Sequence, residues 1–176
     1  MSAAQLSERT RSLVLQAIKD NIDAELAVIR TDRDDPTVNT NPPRSYFNFD
    51  GALTYQCPAV FVVVEDFTLL DEQGPNFVNA TVKVNVTVVT EGQAEANGNV
   101  GGLTIQCERY QAALFKILQW TEYVDNADNV KMFSRVKRCF FSPTYTKKAT
   151  PQGVMGNFRK EVCLELEVKH WENPTS

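Results

Sequence analysis

The chain has 176 residues, of which 43% are hydrophobic, 23% charged and 10% aromatic. That composition excludes a disordered or collagen-like chain, and such a length folds as one domain that buries roughly 70% of its unfolded surface without a metal or disulfide. Against 18 Lys and Arg stand 22 Asp and Glu, and the resulting net charge of −4 opposes non-specific binding to nucleic acid.

The charge is unevenly spread. Between Val130 and Lys160 there are eight basic residues (Lys131, Arg135, Lys137, Arg138, Lys147, Lys148, Arg159 and Lys160) and no acidic one. The remainder carries 10 basic against 22 acidic residues, a charge of −12. The sequence describes an acidic body with one basic segment.

In chain order, Leu15, Ile18, Ile22, Leu26 and Ile29 recur at steps of three or four, which predicts an amphipathic helix from Ser7 to Ile29. Ser7 is a candidate N-cap, with Glu8 at the positive end of the helix dipole. Residues 31–50 (TDRDDPTVNTNPPRSYFNFD) are polar, and Pro36, Pro42 and Pro43 exclude a helix, so an extended arm is expected. Long loops in compact domains often bind something, which makes this arm the first candidate for a partner contact.

Ala59 to Val64 (AVFVVV) is a β-branched run, and Asn79 to Thr90 alternates Val82, Val84, Val86 and Val88 with Thr81, Lys83, Asn85 and Thr87. The polar turn DEQGPN between them suits an antiparallel hairpin. A glycine-rich connector, Glu91 to Gly102, leads to a second predicted helix from Glu108 to Val124, with Tyr110, Leu114, Ile117, Thr121 and Val124 on one face. Met132 to Phe141 and Phe158 to Trp171 form the last two predicted strands, a basic β-hairpin over residues 131–170. The order α-β-β-α-β-β predicts a single α+β domain spanning residues 1–176: a mainly antiparallel four-stranded sheet with two helices packed on one face.

Catalytic and metal chemistry find little footing. Cys57, Cys107, Cys139 and Cys163 lie 50, 32 and 24 residues apart with no CxxC pair, so zinc is not expected and free thiols compete with disulfides. His170 is the only histidine and falls at the end of a strand, a poor start for a nucleophile and base. The glycine loop lacks a following Gly-Lys-Ser/Thr, and the run at Asp32, Asp34 and Asp35 has Thr37 and Pro43 where a calcium loop needs Gly and Glu. The sequons at Asn79 and Asn85 fall inside a predicted strand and are read as chance. No enzyme, no cofactor and no metal are expected. No apolar run is long enough for a membrane helix and no secretory signal opens the chain, which predicts a protein made in the cytoplasm.

The basic segment supports three readings. Its aromatic residues (Phe133, Phe140, Phe141, Tyr145 and Phe158) can face the core while its cations are solvated; its charge can dock on the acidic part of a neighbouring copy, head to tail; or it can bind a nucleic acid by stacking.

The opening helix (LVLQAIKDNIDAELAVI), the arm, the valine hairpin (PAVFVVVEDF and NATVKVNVTVVTEG), the helix ERYQAALFKILQW and the closing RKEVCLELEVKHW together resemble the tail terminator proteins of tailed bacteriophages. The resemblance covers most of the chain through the order and length of its elements. It implies a virion protein assembled in the host cytoplasm: a hexameric ring that caps the tail tube, stops its polymerisation and offers its other face to the head-tail connector. DNA would only pass through the lumen. A neighbouring neck role, such as head completion or connector-stopper, and a small nucleic-acid-binding module are the alternatives. The candidate interface residues come from the arm and the basic hairpin: Arg30, Arg33, Arg44, Tyr46, Phe47, Arg135, Lys137, Arg138, Lys147 and Lys148.

Overall fold

A computed structural model describes residues 3–33, 40–49, 55–71, 79–92, 101–125, 130–146 and 158–172. The elements are α1 (Ala3–Arg33), β1 (Ser45–Phe47), β2 (Ala59–Asp71), β3 (Asn79–Gly92), α2 (Gly101–Leu118), β4 (Thr121–Asp125), β5 (Val130–Phe141), β6 (Tyr145–Thr146) and β7 (Phe158–Glu172). The seven strands form one sheet in the order β1-β2-β3-β7-β5-β4, with β6 also pairing β7.

The α+β class and the helical layer match the sequence reading; the sheet is larger than the four strands expected. The two predicted hairpins are its centre, but they join through β3 and β7, so the chain's last strand lies inside the sheet. The sheet is also mixed, because β1 runs parallel to β2. The three added strands are two to five residues long, too short for alternation to register. The DEQGPN turn lies outside the described residues.

The valine alternation sets the core. Val82, Val84, Val86 and Val88 stand opposite Val168, Leu166, Leu164 and Val162, and all are essentially buried. Burying each such side chain contributes on the order of 1.5–3 kcal/mol. From the helical layer, α1 adds Leu6, Val14, Ile18, Ile22 and Leu26, and α2 adds Leu103, Tyr110, Leu114 and Leu118. Besides a register shift between Leu69 and Asp71 near the end of β2, two bulges interrupt the ladder, between Val64 and Asp66 in β2 and between Val136 and Arg138 in β5. Both lie at the row in which Val84 opposes Leu166, one on each side of the central pair.

Both helix boundaries differ from the expectation. Helix α1 begins at Ala3, so Ser7 is an interior residue and not the N-cap, and its C-terminal turns take the first three residues of the supposed arm. Helix α2 begins at Gly101, inside the glycine-rich stretch, and stops at Leu118, six residues before Val124. Its end is fixed by side chains: Thr121 Oγ1 donates to the Ile117 carbonyl, Ser134 Oγ donates to the Leu118 carbonyl at 2.6 Å, and Gln119 Oε1 accepts from the Val136 amide at 2.7 Å. The first two bonds satisfy carbonyls that a helix end leaves open, and the third ties the Gln119 side chain to β5. Trp120 then takes the left-handed conformation, φ 59°, that turns the chain into β4. Thr121 and Val124, predicted on the helical face, therefore lie on a strand.

Candidate functional site

Helices cover one face of the sheet; the other carries Lys83, Asn85 and Thr87 of β3 beside Glu165, Glu167 and Lys169 of β7. On this open face the basic segment meets its charge partners. Lys137 Nζ lies 3.5 Å from Glu167, Arg138 Nη1 3.9 Å from Glu165 and Lys131 Nζ 3.3 Å from Glu122. Arg159 forks onto Glu91, and Lys160 Nζ donates to the Ser142 carbonyl at 3.1 Å. Exposed pairs of this type are each worth roughly 0–1 kcal/mol, but they neutralise the cations locally. The cationic segment is thus matched largely from within the chain, through cross-strand register that the sequence does not display.

Arg135 differs from its neighbours. It is exposed and has no ion pair among the described residues; its guanidinium stands 5.2 Å from the centre of the Trp120 ring. Lys147 and Lys148, the remaining hairpin candidates, lie outside the described residues.

The arm is bound to the body along its second half. Thr40 is fully buried beside Arg109, whose Nη1 donates to it at 3.4 Å, and the Tyr110 hydroxyl donates to the Asn41 carbonyl. Burial pushes the Tyr110 hydroxyl's pKa upward, so it stays a donor throughout the physiological range. The Arg44 amide donates to the Pro58 carbonyl at 2.7 Å, and Arg11 Nη1 donates to the Asn48 carbonyl at 2.9 Å. Residues 34–39, the first part of the arm, lie outside the described residues.

Of the arm candidates, Arg30 donates from Nε to the Leu26 carbonyl of its own helix at 3.3 Å. Arg33 is the last residue of α1, with its side chain outside the described residues, and Arg44 is exposed. Tyr46 lies opposite Val60 on the helix side, under Lys19, with its hydroxyl pushed up to about 12 by burial and then by Asp23. Phe47 lies opposite Phe61 on the open side, stacked on it at 5.0 Å and edge-on to Phe49 and Tyr55. The arm and hairpin candidates do not form one site, since β2, β3 and β7 separate β1 from β5.

Sequence reasoning missed Trp120. At 56% exposure it is the most exposed large hydrophobic residue described, packed against Phe133 at 5.5 Å beside Arg135. The signal was hidden because a helix running to Val124 would make Trp120 an ordinary surface position.

His170, near the end of β7, is 2% exposed. Thr10 Oγ1 donates to the Leu6 carbonyl at 2.7 Å and lies 2.8 Å from His170 Nε2. With its own proton engaged, the hydroxyl accepts from Nε2–H, which leaves Nδ1 as the bare nitrogen. That buried Nδ1 has no hydrogen-bond partner among the described residues. Burial, and then Arg9, lowers the His170 pKa to about 4.

No disulfide joins any of the four cysteines; Cys107 and Cys163 are buried, and burial raises the pKa of Cys107, Cys139 and Cys163. Among the described residues no three His, Cys, Asp or Glu side chains gather to hold a metal ion, and no helix is long and apolar enough to cross a membrane.

No family model matches the chain, and no curated protein does. Among solved structures, a chain from the virion of a native gene transfer agent particle superposes over 92% of this chain and 93% of its own, at 14% sequence identity and a TM-score of 0.40.

Proposed function

We propose that the chain is a structural virion protein of a tailed phage, a tail terminator that closes into a ring at the head-proximal end of the tail. In this reading the ring, of six copies, caps the last ring of tube protein and stops polymerisation, and its opposite face receives the head-tail connector. The chain has no catalytic role and takes no cofactor; DNA only passes through the lumen. The reading starts from the family resemblance of the opening helix, arm, valine hairpin, second helix and closing strands. The observation that carries it is the one-sided sheet. Among the described residues, helices cover one side of strands 12–15 residues long, and the other side carries matched charges across its central strands with the Phe47–Phe61 aromatic cluster at its β1 edge. Such a face suits protein contacts that must be specific and refuse a further tube subunit.

The test adds purified protein to polymerising tube protein and measures tube length by negative-stain microscopy. Short tubes bearing an extra ring at one end are expected. Tubes of unchanged length, with no protein bound at either end, would overturn the proposal.

A further inference from the structure

A bulky aromatic residue in the left-handed region is a backbone outlier, because glycine or asparagine takes that position at lower cost. Trp120 holds it at φ 59° while leaving more than half of its surface to water. Neither core packing nor helix capping requires an indole there: Thr121, Ser134 and Gln119 close the helix end. Beside the ring stand Phe133 and Arg135. An exposed tryptophan next to an arginine that forms no ion pair among the described residues is the composition of an interface hot spot, apolar at its centre and selective for an anion at its margin.

The chain carries the complement on its other side. The outer face of α1 presents Ala24, Ala27 and Val28, all exposed, with Asp20 one turn before Ala24 and Asp23 beside it. Among the described residues neither aspartate forms an ion pair; Asp20 accepts only from Gln16, within the helix. One helical turn rises about 5.4 Å, the scale that separates the Arg135 guanidinium from the Trp120 ring centre, 5.2 Å. A helix laid on this corner can place Ala24 and Ala27 under the indole and Asp20 against Arg135 together.

We propose that Trp120 and Arg135 of one copy seat the outer face of α1 of a second copy, Asp20 pairing with Arg135. The two surfaces differ, so the contact is heterologous and repeats from copy to copy, closing where the rotation permits. It supplies the lateral contact of the proposed ring and rests on that reading for its expectation of closure.

Sedimentation equilibrium of the full chain, with circular dichroism to verify folding, tests it on W120A, R135E, D20K and the charge swap R135E/D20K. Each single variant should weaken self-association roughly tenfold or more, and the charge swap should recover most of that loss. Single-charge variants that associate like the wild-type chain, or a charge swap weaker than both, would overturn the contact. A wild-type chain that stays monomeric at every concentration reached would also overturn it. The terminator reading falls separately, in the tube-length assay: capped tubes with unaffected variants refute this contact alone.

Discussion

Lowering the pH from 7 to 4.5 should destabilise the fold through His170 by a calculable amount. The ring is buried, its Nδ1 has no partner among the described residues, and burial lowers its pKa from 6.5 to about 4. Because the folded value lies below the unfolded one, the unfolded chain binds the proton first. The contribution is fully present above pH 6.5, declines by about 1.4 kcal/mol per pH unit between 6.5 and 4, and is exhausted below 4. Over the whole window the loss is about 3 kcal/mol, a large share of the 5–15 kcal/mol that holds a domain together. Carboxylates titrate in the same range, so the measurement must be a difference. His170→Gln retains a donor for Thr10 and removes the titrating ring. Urea unfolding of both proteins, followed by circular dichroism from pH 7 to 4.5, should show the wild-type chain losing at least 2 kcal/mol more than the variant. Parallel stability curves would refute the assignment of a buried neutral imidazole.

Further expectations concern the arm, the open face and the thiols. Tyr110→Phe removes the donor to the Asn41 carbonyl and should cost about 1–2 kcal/mol in urea unfolding, with faster proteolysis near residue 40; an unchanged midpoint would show the arm to be independent of α2. Lys137→Glu places like charges beside Glu167, yet both groups are partly solvated, so the loss should stay below about 1 kcal/mol and shrink in high salt. Cys107, buried and held in its thiol form by desolvation, should react with a thiol reagent at neutral pH only as fast as the protein unfolds; labelling at the rate of a free thiol would contradict its placement.

What could be read in the sequence is what repeats locally. The valines of β3 and the apolar stripe of α1 announce strand and helix because their periods, two and near four, persist over many residues. The end of α2 resisted reading because Tyr110, Leu114, Ile117, Thr121 and Val124 satisfy a helical period as well. What stops the helix is tertiary: Ser134 of β5 answers the Leu118 carbonyl, and the Val136 amide holds the Gln119 side chain just beyond it. The site was legible in composition and not in arrangement. Arg138 faces Glu165 and Lys137 reaches Glu167 only once β5 lies beside β7 with a bulge between Val136 and Arg138. The arm looked free because Thr40 and Asn41 are polar, while the arginine and tyrosine that hold them come from residues nearly 70 positions away.

The two bulges bear on how the gene can change length. In β5, Met132, Ser134 and Val136 occupy the helix side before the bulge, and Cys139 and Phe141 occupy it afterwards. Lys137 is the single residue that shifts the alternation from even to odd, and Glu65 does the same in β2 between Val64 and Phe67. Deleting either residue would leave every other side chain of its strand on its present side and straighten the sheet at that row. A one-residue deletion within an unbulged stretch, at Val86 for instance, would turn the rest of β3 inside out. Each of these two bulges is therefore a place where a codon can be lost without exchanging core for surface, and the expected penalty there is lost curvature.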